Sequence, residues 1–284
     1  MQKVDVAVIA YNEEKMINEC LDAILKNPEV NNIYVVDDGS TDSTLALIKK
    51  RPDRIDGKVR LIGNPKNMGR GHARTTALDL CKTDIVAMVD ADTVVNKDWL
   101  KIMLKGFEDK DKRGKPTDMV IGLLHFASKR PNIYTPYITR VMENVMSSSN
   151  ASSAMVFKRS LLKENPYNAS LKDGEDMDWI CRLMEAETTF NTIGEYIGTH
   201  YCDMTVFDLM QRYYEYGRNR HWLHKQYPDV IKITNKDVDT SEYMICTMLE
   251  HIRQIMGNLG YKHSKIEEGG TYDGEQAGFI HSSK

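Results

Sequence analysis

The sequence lacks any long apolar run. No stretch of its 284 residues approaches the roughly 18 consecutive apolar residues of a membrane-spanning helix. The opening MQKVDVAVIAYNEE enters an apolar strand at once, without the tripartite layout of a secretion signal. Cysteine is sparse and unpatterned: Cys20, Cys81, Cys181, Cys202 and Cys246 are odd in number, widely spread, and contain no C-x-x-C. That excludes a disulfide scaffold and a zinc site and fits a reducing, cytoplasmic setting. Charge of neither sign is in large excess, with 38 Lys and Arg against 41 Asp and Glu. The net charge of −3 creates no global field to recruit nucleic acid or anionic membrane. No internal repeat is found.

What is present is a regular alternation over the first hundred residues. VDVAVIA reads as a buried strand, and NEEKMINECLDAILKN as a helix with Met16, Ile17, Cys20, Leu21, Ile24 and Leu25 on one face. NIYVVDDG is a second strand, followed by GSTDSTLALIKKR, a helix that Ser40 or Thr41 would cap. KVRLIGN, GRGHARTTALDLCK and DIVAMVD continue as strand, helix and strand. Short connections between such elements predict a mostly parallel sheet with helices on both faces. Beyond this point the pattern loosens. DKDKRGKPT (109–117) reads as an exposed loop, DMVIGLLHF as a strand, YTPYITRVMENVMSS as a helix, and SSAMVFKRSLL as a strand running into a helix. DGEDMDWICRLMEAE then starts a helix with an acidic first turn, FNTIGEYIGTHY is a strand, and TVFDLMQRYYEYGRNRHWLHKQYP is a locally basic helix. Residues 239–259 carry a helical stripe of Met244, Met248, Leu249, Ile252, Ile255, Met256 and Leu259, suited to core packing or a homodimer contact. A glycine-rich tail follows Lys262.

In sheets of this kind ligands bind outside the carboxyl ends of the strands. Here those ends are Ala10-Tyr11-Asn12, Asp37-Asp38-Gly39-Ser40, Asn64 to Asn67, and Asp90-Ala91-Asp92, all polar. Two carboxylates one residue apart after a buried strand are costly unless a positive partner meets them. An Asp-x-Asp can hold a hard divalent cation whose shell is completed by bound phosphates. The same residues would also suit a helix start with Asp92 or Asn96 as N-cap. They resemble, too, the nucleophile motif of haloacid-dehalogenase-type phosphatases, with the first Asp phosphorylated and the second a general acid.

The ordered segments VAVIAYNEE, VVDDGSTDST, NPKNMGRGHARTTAL and VDADT together resemble the family 2 glycosyltransferases, over roughly residues 3 to 225. The resemblance implies an α/β GT-A fold, Rossmann-like, with a mostly parallel mixed sheet flanked by helices and a C-terminal helical extension. Its domain would span residues 1–230, with a nucleotide-binding half over 1–100 and an acceptor and catalytic half over 101–230. Residues 231–284 would form the helical extension and tail.

The same resemblance assigns roles. Asp38 would accept a hydrogen bond from the N3–H of a uracil-like base, and Tyr11 and Asn12 would line the base and ribose pocket. Asp37 should point to the other face, and Glu13 is a better functional candidate than Glu14. Gly69 would let the backbone turn close to the ligand. Arg70 and Arg74 would meet the base or pyrophosphate, Arg74 matching the family's GxxxAR arginine. Asp92 would ligate Mn²⁺ or Mg²⁺ bridging the diphosphate, with Asp90 on the ribose or a metal-bound water, and His200 as a further metal or phosphate contact. Such an ion neutralises charge on the departing diphosphate.

In DGEDMDW, Asp176 matches the family's catalytic base, Glu175 would orient the acceptor, and Asp178 would help. The helix dipole also favours acids in a first turn. Asp173, Glu175, Asp176 and Asp178 are more than capping requires. Gln211, Arg212, Arg218, Arg220 and Trp222 resemble a variant of the family's Gln/Arg/Trp segment, whose arginines would close over the diphosphate. Their spacing departs from the Q-x-x-R-W of processive members.

The expectation is therefore a metal-dependent, inverting transferase that moves a sugar from a nucleotide diphosphate, UDP first, to an acceptor hydroxyl in one displacement. The acceptor would be a saccharide or lipid-linked saccharide, with SSNASSAMVFKRS part of its pocket. A second reading is transfer to a hydroxylated base in DNA. It rests on the basic and aromatic side chains interleaved in one segment: Arg212, Arg218, Arg220, His221, His224 and Lys225 among Tyr213, Tyr214, Tyr216 and Trp222. The phosphatase is a third.

Overall fold

Val4–Ala10 forms β1, and its alternate residues go to opposite cores. Val4, Val6 and Val8 join one hydrophobic layer and Ala7 joins the other, because successive side chains of a strand point to opposite faces. Helices covering both faces explain why β1 reads as an unbroken apolar run. The computed structural model describes residues 2–110, 114–132, 134–147 and 153–230. The expected stripe at 239–259 and the tail lie outside the described residues.

The remaining elements follow in chain order: α1 (Ile17–Leu25), β2 (Val30–Asp37), α2 (Thr44–Lys49), α3 (Pro52–Ile55), β3 (Val59–Gly63), α4 (Arg70–Leu80) and β4 (Ile85–Asp90). Then come β5 (Thr93–Val95), α5 (Trp99–Lys105), β6 (Met119–Ala127), α6 (Thr135–Ser147), β7 (Ala154–Lys158) and α7 (Ser160–Glu164). Last are α8 (Glu175–Glu185), β8 (Phe190–Tyr201) and α9 (Val206–Gln226). The strands make one eight-stranded sheet in the order β3-β2-β1-β4-β7-β6-β8-β5. β3, β2, β1 and β4 are mutually parallel, β7 runs antiparallel to β4 and β6, and β8 runs parallel to β6. The mixed α/β sheet expected from the sequence is the one found.

One face is covered by α1 and α5, through Ile17, Leu21, Ile24, Trp99, Leu100 and Met103. The other is covered by α4 and α8, through Ala73, Ala77, Trp179, Ile180 and Leu183. A smaller cluster of Phe126, Ile138, Met142 and Leu209 packs β6, α6 and α9 together. The pairings Ala10↔Asp37 and Asp37↔Gly63, with Ile9↔Asp90, align the carboxyl ends of β1 to β4 along one rim.

Two local expectations are corrected. Ser40 and Thr41 do not cap a helix, since α2 begins at Thr44, whose N–H donates to the Asp42 carboxylate at 2.9 Å. Nor does a helix start at Asp92 or Asn96. The β-branched run Thr93-Val94-Val95 forms β5, antiparallel to β8, and α5 begins only at Trp99.

The start of α4 is where a second segment docks. Arg70 N–H and Gly71 N–H donate to the carbonyls of Lys172 at 3.3 Å and Leu171 at 3.0 Å. Gly69, at φ 97°, occupies left-handed backbone, and a Cβ there would lie 2.8 Å from Lys172 Cα. A Cβ on Gly71 would overlap the carbonyl oxygens of Asn168 and Leu171. The loop before α8 thus lies directly on the first turn of α4. Gly71→Ala is expected to lower stability in urea unfolding by about 1–3 kcal/mol through overpacking. Gly194→Ala, where a methyl meets nothing within 4 Å, should change little; equal losses at both sites would refute the crowding.

Candidate active site

The rim begins with residues whose side chains bind the chain to itself. Asn12 has φ 58°, a left-handed conformation that asparagine tolerates better than most residues. Its N–H donates to Ser40 Oγ at 2.9 Å, and its Oδ1 accepts from Thr41 N–H at 2.8 Å. These bonds tie the end of β1 to the turn after β2. Asp38 is buried. Its Oδ1 accepts from Asn64 Nδ2 at 2.7 Å and Met68 N–H at 2.9 Å, and its Oδ2 from Gly69 N–H at 2.9 Å. Its present work is to hold the 64–69 loop, leaving only its remaining lone pairs for a ligand. Asp37 is fully buried, with Oδ2 accepting from Ser40 N–H and Oδ1 without a hydrogen-bond partner. Tyr11 is open on this rim.

Asp90 ends β4, and Ala91-Asp92 leads into β5. Asp92 Oδ1 lies 3.2 Å from His200 Nδ1, which is 3.1 Å from Thr93 Oγ1. The antiparallel pairing of Thr93 with His200 places that imidazole beside the Asp-x-Asp. Burial raises the Asp92 pKa; His200 pulls it back and Asp90 pushes it further up. Glu13, just past the end of β1, is pushed up to about 8 by burial and then by Asp92 and Asp90. Asp92 and Glu13 are thus both pushed towards neutrality by neighbouring carboxylates, an arrangement that favours a cation. Among the described residues no group of three His, Cys, Asp or Glu side chains stands ready as a metal cage. Asp92 with His200 fits an ion whose other ligands are phosphate oxygens and water.

Arg74 meets carboxylates on both sides. It is only 4% exposed. Its Nη2 donates to Asp90 Oδ1 at 3.1 Å, and its Nε stands 3.1 Å from Glu175 Oε1. The second approach is close but lacks hydrogen-bond alignment, and neither Glu175 oxygen has a hydrogen-bond partner. Burial by itself would lower the Arg74 pKa; Glu175 and Asp90 instead hold it well above its ordinary value. Burial raises Glu175 to about 7, against the pull of Arg74. In this structure the Arg74 guanidinium lies between these two acids. Arg70, by contrast, is exposed and pairs with Asp173 at 3.6 Å.

Gly174, left-handed at φ 72°, precedes α8. Asp176 is half-buried, and among the described residues its Oδ1 accepts from the adjacent Met177 N–H at 2.8 Å. Asp178 is committed elsewhere. It is buried, receives Arg182 Nε and Nη2 at 3.1 and 3.0 Å, and accepts from Tyr227 Oη at 2.6 Å. Asp178 is thus a structural anchor, and the helper role expected of it is withdrawn. Sequence reasoning missed Tyr227, which no motif marks.

α9 opens with a capping box between Thr205 and Asp208 and carries Arg212 near enough to Asp92 to oppose its rise in pKa. Arg218 and Arg220 are on α9, but their side chains lie outside the described ones. Gln211 and Trp222 are exposed on the same helix.

The polar strand-end rim lies beside an acidic helix start, since Asp90 and Glu175 each stand 3.1 Å from the Arg74 guanidinium. The model of glycosyl transferase family 2 matches residues 5–165, more than half of the chain, which therefore belongs to that family. Similar proteins include the teichoic acid poly(glycerol phosphate) polymerase of Staphylococcus epidermidis, 27% identical over 201 residues, 67% of this chain and 27% of that one. Another is the poly(ribitol-phosphate) beta-N-acetylglucosaminyltransferase TarS of Staphylococcus aureus, 29% identical over 193 residues, 62% of this chain and 31% of that one. The chain spans less than a third of the length of these curated relatives. Among solved structures, TarS 1-349 in complex with UDP superposes with TM-score 0.55 at 21% identity, covering 77% of this chain and 65% of that one. A mannosyltransferase from Pyrobaculum calidifontis in complex with GDP-Man and Mn²⁺ superposes with TM-score 0.64 at 18% identity, covering 92% and 75%. The fold is the GT-A arrangement that the motifs implied.

The Asp178 anchor generates a stability prediction. Tyr227→Phe removes a hydrogen bond to a buried carboxylate and is expected to lower unfolding free energy by about 1–3 kcal/mol. Urea denaturation of this variant and of Asp178→Asn would check it. Full stability in Tyr227→Phe would show that the α9 end is not held there.

Proposed function

We propose that the chain is a metal-dependent, inverting glycosyltransferase that moves a sugar from a nucleotide diphosphate, UDP first, to an acceptor hydroxyl. One observation carries the reading. Asp90, at the end of the Asp-x-Asp strand, and Glu175, beside Asp176, approach the same guanidinium at 3.1 Å each. The donor rim and the acidic helix start are therefore neighbours, as a single displacement requires.

Tyr11 and the Asp38-held loop line the base and ribose, with Asn12 setting the turn behind them. Asp92 and His200 hold Mn²⁺ or Mg²⁺, Asp90 supporting that side. When bound, the ion offsets charge on the diphosphate leaving group. Arg212, and Arg218 further along α9, supply positive charge towards the same phosphates. Asp176 accepts the acceptor proton at its free carboxylate oxygen as that hydroxyl attacks the anomeric carbon from the face opposite the diphosphate. Among the described residues its Oδ1 takes the Met177 N–H, which leaves the second oxygen for this task. Glu175 is too buried to touch an acceptor and acts from behind Asp176.

The acceptor is a saccharide or lipid-linked saccharide. Several curated relatives are named for polyol-phosphate polymers, so those belong in the same screen. The DNA-base reading depends on α9 side chains outside the described ones, and nothing in the described site favours it. The phosphatase reading would need Asp90 as a nucleophile, whereas its Oδ1 is bound to Arg74. No helix among the described residues is long and apolar enough to cross a membrane; we assign the enzyme to the cytoplasm. A homodimer through residues 239–259 lies outside the described residues.

Thermal-shift screening with Mn²⁺ against UDP, GDP, CDP and dTDP tests the donor. A ligand at about 100 times its dissociation constant should stabilise the native state by about 2.7 kcal/mol. No Mn²⁺-dependent shift with any nucleotide would sink the reading. Asp92→Ala is expected to abolish the shift. Asp176→Asn should keep it while lowering turnover by about 10²–10⁴-fold, and undiminished turnover would place the base elsewhere.

A further inference from the structure

We infer that Tyr227 is a positioning residue for the donor: it latches the end of α9 to α8 through Asp178, and so holds Arg212, on the same helix, at the Asp92 and His200 side of the site. The inference rests on the proposed role of Arg212 towards the donor phosphates and deepens it.

Asp178 divides its carboxylate between two helices. Its Oδ2 receives Arg182 Nε and Nη2, from the next turn of α8, at 3.1 and 3.0 Å. Its Oδ1 accepts from Tyr227 Oη at 2.6 Å, just beyond the end of α9. Hydrogen bonds to an ionised carboxylate are shorter and stronger than those between neutral groups. Burial first, and the Asp178 bond next, push the Tyr227 pKa up, so the phenol remains a donor.

The two helices are held unequally. α8 is seated in the core by Trp179 and Leu183, both fully buried. Trp179 packs against Phe157 and Tyr167, and its Nε1 donates to the Asn165 carbonyl at 2.7 Å. Arg182 Nη1 donates to the Pro166 carbonyl at 2.7 Å. Among the described side chains of α9, only Leu209 and Leu223 are buried. Of the two helices, α9 is therefore the one that gives way when the latch opens.

The cargo of α9 makes its seating matter. Leu209 packs with Phe126, whose ring centroid lies 5.0 Å from that of His200. Arg212 follows Leu209 by about one turn and acts electrostatically on Asp92, Cys202 and Asp208. The helix runs for 21 residues, about 31 Å. Its first half thus lies on the ion side, and its far end is tied to the helix that bears Asp176. A guanidinium recognises phosphate through a planar fork of fixed geometry. Freeing the far end lets the near end tilt about Leu209, and that geometry is lost.

The test uses the full chain with Tyr227→Phe, Arg212→Met, the double variant of these two, and Arg182→Met. UDP binding with Mn²⁺ is measured by calorimetry, and hydrogen exchange is followed over residues 206–227 and 175–185. Tyr227→Phe should accelerate exchange over 206–227, change it little over 175–185, and weaken UDP binding by about fivefold or more. Arg182→Met removes the other partner of Asp178 and is the control for stability alone. It should lower the urea midpoint as Tyr227→Phe does, yet leave UDP affinity within about twofold. On the Arg212→Met background, Tyr227→Phe should cost less than about twofold in UDP affinity, because the group it positions has gone. Unchanged exchange over 206–227 in Tyr227→Phe would overturn the latch. Equal losses of UDP affinity in Tyr227→Phe and Arg182→Met would reduce it to a general stability effect and overturn the positioning role. A Tyr227→Phe loss undiminished by Arg212→Met would do the same. No UDP binding by the wild-type chain with Mn²⁺ would sink the donor reading and the positioning role with it, while accelerated exchange over 206–227 would still establish the latch.

Discussion

Like charges crowd one rim of this sheet, and the structure depends on how they are kept apart or compensated. Asp90 disfavours the ionised forms of Asp92 and Glu13, and Glu175 is buried close behind. Arg74 lies between two of these acids and His200 beside a third. A divalent ion at Asp92 and His200, as proposed above, would offset the charge of these carboxylates.

The division of labour among the acids follows from burial. Asp5, at the opposite end of the sheet, is fully buried too, yet both its oxygens accept from Asn31, Asn32, Lys82 and Thr83. It is a structural acid, as are Asp38 on its loop and Asp178 under Tyr227. Asp92 and Asp176, the acids proposed for the ion and the proton, are by contrast only partly buried. In a fold rich in carboxylates, the count of donors around each one separates scaffold from chemistry more sharply than motif position does.

The mixed sheet also explains how distant segments converge. Antiparallel β7 reverses the chain direction after β4, and β6 and β8 then run with their carboxyl ends on the same side as that of β4. His200 arrives there because it lies near the end of β8 and pairs with Thr93. The loop before α8 arrives because glycines at 69 and 71 let it rest on α4.

The sequence by itself determined the alternation of strands and helices, the polar strand ends, and the segments Tyr11-Asn12, Asp37-Asp38, Asp90-Ala91-Asp92 and Glu175-Asp176. Local apolar periodicity and turn chemistry are properties of short windows, so they can be read without the fold. Even so, the three-residue β5 escaped notice, since its strand character comes from pairing with β8. Only the tertiary structure decided that Arg74 faces Glu175 and Asp90, that Asp38 holds a loop, and that Asp178 answers to Tyr227. Those contacts join residues 16 to 101 positions apart, or fix which of several chemically equal carboxylates is buried and which is open. The energy of a charge depends on what surrounds it in space, and adjacency in the chain does not report that.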